Sequence, residues 1–394
     1  VKTTIVTPDD ALQRVHTYFK GSPYHPDGRR LLYTRFGSLA EPADVCVLDT
    51  ASGEERVVAS AHDVTYHNGA TAYFAAGGRR VIYQKTYDWE NDDKQKSTVA
   101  CVDLATGEST EFGGEVGIYS GDIDERFLEV DADRPADEQG SMGISTRRID
   151  GSDRRRLATV SELLELHPHG SSIRRSRVLL RLGGEMAPDR SKVMLYLVTR
   201  FGVLVRDYYL CNPDGSELTY HGRIGLHLMW HPNSREVVGF INPHHSSYFG
   251  QLRGPSSSWG YGLLGCYDTR ARVMRVLSDH RLTGGPHLVP SPDGTRVAVD
   301  ENTAERATIL LYDFRSEQMN EIHSEEHDLE PLRRRQRVDF PATGAADGGA
   351  ESARALKHGQ RYRVHAHPAF SRDGRKIVFN SLVDGQVRLK EIEL

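Results

Sequence analysis

An all-β fold, a seven-bladed β-propeller formed as one domain over residues 1–394, is what this sequence predicts. Three observations lead there. Long stretches of helical periodicity are almost absent. A turn followed by a β-rich run recurs seven times from end to end, and a second strand–turn–strand signature falls between most of the copies. Two hairpins per unit, at a spacing of roughly 40 to 80 residues, make about four strands, and seven such units close a propeller.

The first signature opens at Pro26-Asp27-Gly28-Arg29-Arg30-Leu31-Leu32-Tyr33 and repeats at Gly77-Gly78-Arg79-Arg80-Val81-Ile82-Tyr83. A degenerate copy runs through Asp124-Glu125-Arg126-Phe127-Leu128. Further copies begin at Pro188-Asp189-Arg190, Pro232-Asn233-Ser234, Pro292-Asp293-Gly294 and Asp373-Gly374-Arg375. The second signature is seen in Val47-Leu48-Asp49-Thr50-Ala51-Ser52-Gly53, Val102-Asp103-Leu104-Ala105-Thr106-Gly107 and Tyr312-Asp313-Phe314-Arg315. The seventh unit ends at Leu394, about where a third strand would finish. Because an open ring exposes a sheet edge, the strand-like Thr3-Thr4-Ile5-Val6 is expected to close the last blade from the N-terminal side.

Composition narrows the partners. With 50 Lys and Arg against 55 Asp and Glu, the net charge of −5 provides no global basic field, so no nucleic-acid partner is expected. The arginine runs at 154–156 and 333–335 read as solvated turns. No apolar run reaches the roughly 20 residues of a membrane span, so no membrane partner is expected and the reading is cytoplasmic. Cys46, Cys101, Cys211 and Cys266 occupy equivalent strand positions in separate units, without metal-type spacing, and read as buried thiols in a reduced compartment. Two segments break the rhythm: the Gly/Ser-rich, aromatic 246–262 and the long 327–362 with its small-residue tract.

The 18 histidines are not evenly placed. In a propeller, residues just ahead of the first signature converge from all blades on one mouth of the channel. His67, His227 and His287 sit there, as do His365 and His367, which alternate along an extended segment and so share a face. Imidazole is the commonest metal ligand near neutral pH. His167, His169, His244 and His245 read instead as solvated loop histidines.

Three stretches carry a family resemblance: Leu226-His227-Leu228-Met229-Trp230-His231-Pro232, Pro286-His287-Leu288-Val289-Pro290-Ser291-Pro292-Asp293-Gly294, and His365-Ala366-His367-Pro368-Ala369-Phe370-Ser371-Arg372-Asp373-Gly374. From about residue 200 onward the chain resembles the oligogalacturonate lyases of polysaccharide lyase family 22. The first half matches only the blade pattern shared with TolB-like propellers. The resemblance implies a divalent metal, typically manganese, held by His287, His365 and His367. The family's fourth ligand, a glutamine, falls on Tyr362, with Gln360 two positions too early. It also implies His227 as catalytic base, assisted by Arg206 or its neighbour.

The implied activity is that of a carbon–oxygen lyase acting on a uronic-acid-containing oligosaccharide. β-Elimination removes the weakly acidic C5 proton and expels the C4 substituent. It needs a cation on the carboxylate before a histidine-strength base suffices. Two other readings stand beside it. One is a propeller lyase for another uronate, such as rhamnose-capped glucuronate, with His67 beside Tyr66 contacting substrate or serving as base. The other is a non-enzymatic TolB-like binding propeller.

Overall fold

The computed structural model describes residues 1–87, 97–117, 123–130, 142–175, 180–200, 204–241, 262–283, 286–303, 305–327, 331–332, 334 and 361–394. The segments 244–261 and 335–360, which include His244, His245 and Gln360, lie outside the described residues.

The chain forms seven antiparallel sheets in a ring, a seven-bladed β-propeller. Strand β1 (Lys2–Ile5) stands apart from its sequence neighbours. Blade 1 holds β2 (Gln13–Val15), β3 (Arg30–Phe36), β4 (Ala43–Asp49) and β5 (Glu55–Ala61). Blade 2 holds β6 (Tyr73–Ala75), β7 (Arg80–Thr86), β8 (Thr98–Asp103) and β9 (Ser109–Gly113). Blade 3 has three strands among the described residues: β10 (Arg126–Val130), β11 (Gly143–Arg148) and β12 (Arg155–Thr159). Blade 4 runs β13 (Leu180–Met186), β14 (Val193–Arg200), β15 (Leu204–Cys211) and β16 (Thr219–Gly222). Blade 5 runs β17 (Leu226–Trp230), β18 (Glu236–Ile241), β19 (Leu263–Asp268) and β20 (Val273–Val276). Blade 6 is β21 (Leu288–Pro290), β22 (Arg296–Asn302), β23 (Arg306–Asp313) and β24 (Gln318–Glu326). Blade 7 is β25 (Ala369–Phe370), β26 (Lys376–Val383) and β27 (Gln386–Glu393), completed on its outer side by β1. That last pairing, Lys2 opposite Glu393 through Ile5 opposite Lys390, is the closure expected from the sequence.

Middle strands read as near-continuous apolar runs because a blade's two faces both pack against neighbouring blades. Tyr73 and Ile82 of blade 2, Phe127 and Leu128 of blade 3 and Leu195 of blade 4 share one buried cluster. Outer strands such as β20 are exposed throughout. The four cysteines are buried and unpaired, as their repeat position implied.

The turn signature has a physical basis in its acid and its glycine. Asp27, Asp293 and Asp373 each accept a hydrogen bond from the backbone N–H two residues on, and the following Gly28, Gly294 and Gly374 adopt φ of 74°, 71° and 69°. In the degenerate copies Arg190 and Ser234 hold the same left-handed conformation without glycine's freedom.

Two features were not expected. A helix pair, α1 (Val160–Leu166) and α2 (Gly170–Arg175), links blades 3 and 4, and a Thr159/Glu162 capping box starts it. His167, read from the sequence as a solvated loop residue, caps α1 and is buried, its Nε2 3.2 Å from Asp207 and its ring against Tyr220. A helix end needs its last polar groups covered, and that placed the imidazole inward. The second feature lies in blade 1. After Val15 the innermost strand leaves the sheet, and the chain rejoins it only where Tyr24 bridges Leu31. Residues 16–20 are buried in between, held by a bond from the His16 N–H to Asn380 Oδ1 at 3.0 Å.

Because β1 supplies blade 7's outer ladder, deleting residues 1–6 should lower unfolding free energy by about 2–4 kcal/mol, on the order of 1 kcal/mol per lost hydrogen bond. Urea denaturation checks this, and an unchanged midpoint would mean the closure carries no stability.

Candidate metal centre and active site

The inner strands of blades 5 and 7 are distorted where they reach the channel mouth. His227 (φ 51°) interrupts the β17–β18 register, and His367 (φ 48°) stands just ahead of β25. A non-glycine residue in this region costs on the order of 1 kcal/mol or more and takes its N–H out of the ladder. Side chains from the second strands replace the lost partners. Asp300 of β22 accepts from the N–H of His367 at 2.9 Å and of His287 at 2.6 Å, and Asn302 accepts from the N–H of Ala366 at 3.2 Å. Asn380 of β26 donates to the His365 carbonyl at 3.2 Å.

This scaffold turns four imidazoles toward one another. His67, His287, His365 and His367 offer ligand atoms that all lie within 4.8 Å of each other. Their ring centroids are 4.3 Å apart for His287 and His367, 4.5 Å for His67 and His367, and 4.9 Å for His287 and His365. Both ring nitrogens of the fully buried His367, and Nδ1 of His67, have no hydrogen-bond partner among the described residues. Burial, and next the neighbouring His287, hold His67, His365 and His367 well below the ordinary imidazole pKa, in the neutral form that ligates metals. The Asp300 carboxylate lies 3.2 Å from His287 Nδ1 and orients that ring from behind.

The residues therefore fit a divalent cation, with one adjustment. Donor atoms about 2.1 Å from a shared ion are at most about 4.2 Å apart, so the rings must close by several tenths of an ångström. Arg363 Nε also donates to His365 Nε2 at 2.6 Å, and ligation through that nitrogen would break this bond.

His227 stacks on His287 at 4.7 Å but is outside the four-histidine group. Its Nδ1 lies 2.7 Å from the Pro286 carbonyl oxygen, an acceptor only, so Nδ1 carries the proton and Nε2 is the free base. Burial, then His287, Arg206 and Lys20, push its pKa well down. Arg206 lies over the Tyr196 ring at 4.7 Å. Above the imidazoles sits the 16–20 excursion: the Tyr18 ring is 5.0 Å from His367 and 5.4 Å from both His67 and His287, and the Phe19 ring is 4.8 Å from His287.

The structure thus brings His67, His227, His287, His365 and His367 together. Tyr362 is elsewhere: it is packed in the apolar cluster of blades 1 and 2, its ring 5.5 Å from Tyr66. The fourth position beside the three histidines is taken by His67. Sequence reasoning missed Asp300, Asn302, Asn380, Tyr18, Phe19, Lys20 and Arg363. Polar residues in otherwise apolar β22 and β26, and the aromatic–basic run Tyr18-Phe19-Lys20, were the available signals.

No family model and no curated protein sequence matches the chain. Solved structures do. An oligogalacturonate lyase from Vibrio parahaemolyticus superposes with a TM-score of 0.64 at 14% identity, over 100% of this chain and 93% of that one. An oligogalacturonate lyase in complex with manganese superposes with a TM-score of 0.64 at 17% identity, with the same coverage. A prolyl endopeptidase matches with a TM-score of 0.52 at 11% identity, over 96% of this chain and 51% of that one. These likenesses establish the propeller fold; chemistry must come from the site. Among the described residues no helix is long and apolar enough to cross a membrane.

If the four histidines ligate, His367→Ala and His67→Ala should each lose bound divalent metal by about 10- to 100-fold in affinity, while Tyr362→Phe retains it. Elemental analysis after dialysis checks this; equal metal in parent and His367→Ala would remove the assignment.

Proposed function

We propose that this protein is a lyase for uronic-acid-containing oligosaccharides, cleaving by β-elimination at C5 and C4, most like an oligogalacturonate lyase, with a divalent metal, manganese, as cofactor. The observation that carries the reading is the His227–His287 stack. It puts a neutral base with a defined free nitrogen against a group of four histidines suited to a cation. A cation held by His67, His287, His365 and His367 would neutralise the uronate carboxylate and so acidify the C5 proton.

The chain's own residues supply the rest. His227 Nε2, unprotonated because Nδ1–H donates to the Pro286 carbonyl, takes the C5 proton. The C5–H electrons become the C4–C5 double bond as the C4–O bond breaks, and the oxygen leaves with that bond's electron pair on the neighbouring sugar, taking up a proton from the protonated base or from water to end as a hydroxyl. Arg206 helps keep the base neutral before the reaction, after burial and His287. Arg363, whose Nε donates to His365 Nε2, adds a further cation near that ring. Tyr18 and Phe19 cover the imidazoles and limit water. Manganese is favoured by the second lyase structure, which was solved with that ion.

Purified protein should release ultraviolet-absorbing unsaturated uronate from oligogalacturonides or from another uronic-acid oligosaccharide. Chelation should abolish the activity and manganese restore it. His227→Gln should lower kcat/KM by about 10²- to 10⁴-fold. No unsaturated product from any uronate, with or without manganese, would refute the proposal.

A further inference from the structure

Lys20 and Arg206 converge on one aromatic ring. Arg206 Cζ lies 4.7 Å and Lys20 Nζ 5.9 Å from the centroid of Tyr196. Lys20 is 4% exposed and ion-paired with Glu185, itself 1% exposed. Arg206 has no acidic partner among the described residues, and its buried Nε has no hydrogen-bond partner. Glu185 therefore answers Lys20 alone among the described residues, and burial, then Arg206, push the Lys20 pKa well down. An uncompensated positive charge in a desolvated pocket is unfavourable until an anion joins it.

Phe19 ties this pair to the reaction centre: Lys20 Nζ is 5.8 Å from its ring, and that ring is 5.7 Å from His227 and 4.8 Å from His287. The carboxylate of the cleaved uronate is already answered by the histidine group and the cation it suits, which leaves the Lys20–Arg206 pair for a different negative charge. From this geometry we infer that Lys20 and Arg206 form a second anion-binding subsite, which takes the carboxylate or sulfate ester of a sugar adjoining the cleaved uronate. For turnover this rests on the lyase reading. As a binding site it does not. Lys20 is then a positioning residue that sets substrate choice, and Glu185 holds its ammonium beside Arg206.

The test compares the wild type with Lys20→Met and Lys20→Arg on three substrates. These are an oligogalacturonide, whose neighbouring sugar carries a carboxylate, and a rhamnose-capped glucuronate with and without a sulfate ester on the rhamnose. The wild type should prefer at least one charged neighbour by about tenfold or more in kcat/KM, with the carboxylate and sulfate arms naming the group. Lys20→Met should collapse that preference, chiefly through KM, and Lys20→Arg should restore most of it. No wild-type preference, or an equal loss by Lys20→Met on every substrate, overturns the inference. If the wild type cleaves nothing, the lyase reading fails, and calorimetric binding decides the subsite separately. Digalacturonate should then bind about tenfold tighter than galacturonate, with the difference lost in Lys20→Met; equal binding of the two sugars overturns the subsite.

Discussion

One buried carboxylate holds the channel mouth in its shape. Asp300, fully enclosed, accepts the backbone N–H groups of His287 and His367 and lies within 3.2 Å of the His287 ring. It therefore joins the inner edges of blades 6 and 7 through charge-assisted hydrogen bonds. Burial alone would push its pKa up, but His287 and the hydrogen bonds it receives bring it below the usual carboxylate range, so it stays ionised. Without it, the left-handed backbone at His367 would leave an N–H buried and unsatisfied, and two of the four converging imidazoles would lose their orientation. Asn302 and Asn380 do the same for the flanking residues, and Asn380 also anchors the excursion that carries Tyr18 and Phe19 over the rings.

The ring architecture makes such convergence possible, since each blade delivers its inner strand to a common axis. It does not dictate what is delivered, and a prolyl endopeptidase has a similar propeller. In this chain the delivered groups divide by hydrogen bonding. His367 and His67 keep ring nitrogens without partners among the described residues. His227 has one nitrogen tied to Pro286 and one free, as a base would. Burial and the neighbouring histidines hold these imidazoles neutral, with Arg206 and Lys20 adding to the effect at His227 and Arg363 at His365.

Much of the architecture was legible in the chain because repeats report themselves. The turn signature located every blade, and its position told which histidines would face the mouth. The N-terminal closure followed from counting strands in the last unit. What could not be read was anything that depends on contact across the ring. The family resemblance put Tyr362 at the fourth ligand position, yet its ring is drawn into the apolar layer with Tyr66, and His67 arrives from blade 2 instead. Asp300 looked like one polar residue in an apolar strand, because its purpose appears only when His367 breaks the neighbouring ladder. The 16–20 excursion precedes the first turn signature, so no repeat pattern flagged it. His167 was misread because the short helices around it carry too few residues for a periodic signal.

On the proposed reading, four histidines from blades 2, 6 and 7 hold one divalent cation beside His227. Anomalous diffraction from crystals grown with manganese tests it most directly. A single strong peak is expected within about 2.3 Å of ring nitrogens of His67, His287, His365 and His367, with His227 outside the coordination sphere. No peak there, or a peak with His227 as a ligand and His67 turned away, would contradict it.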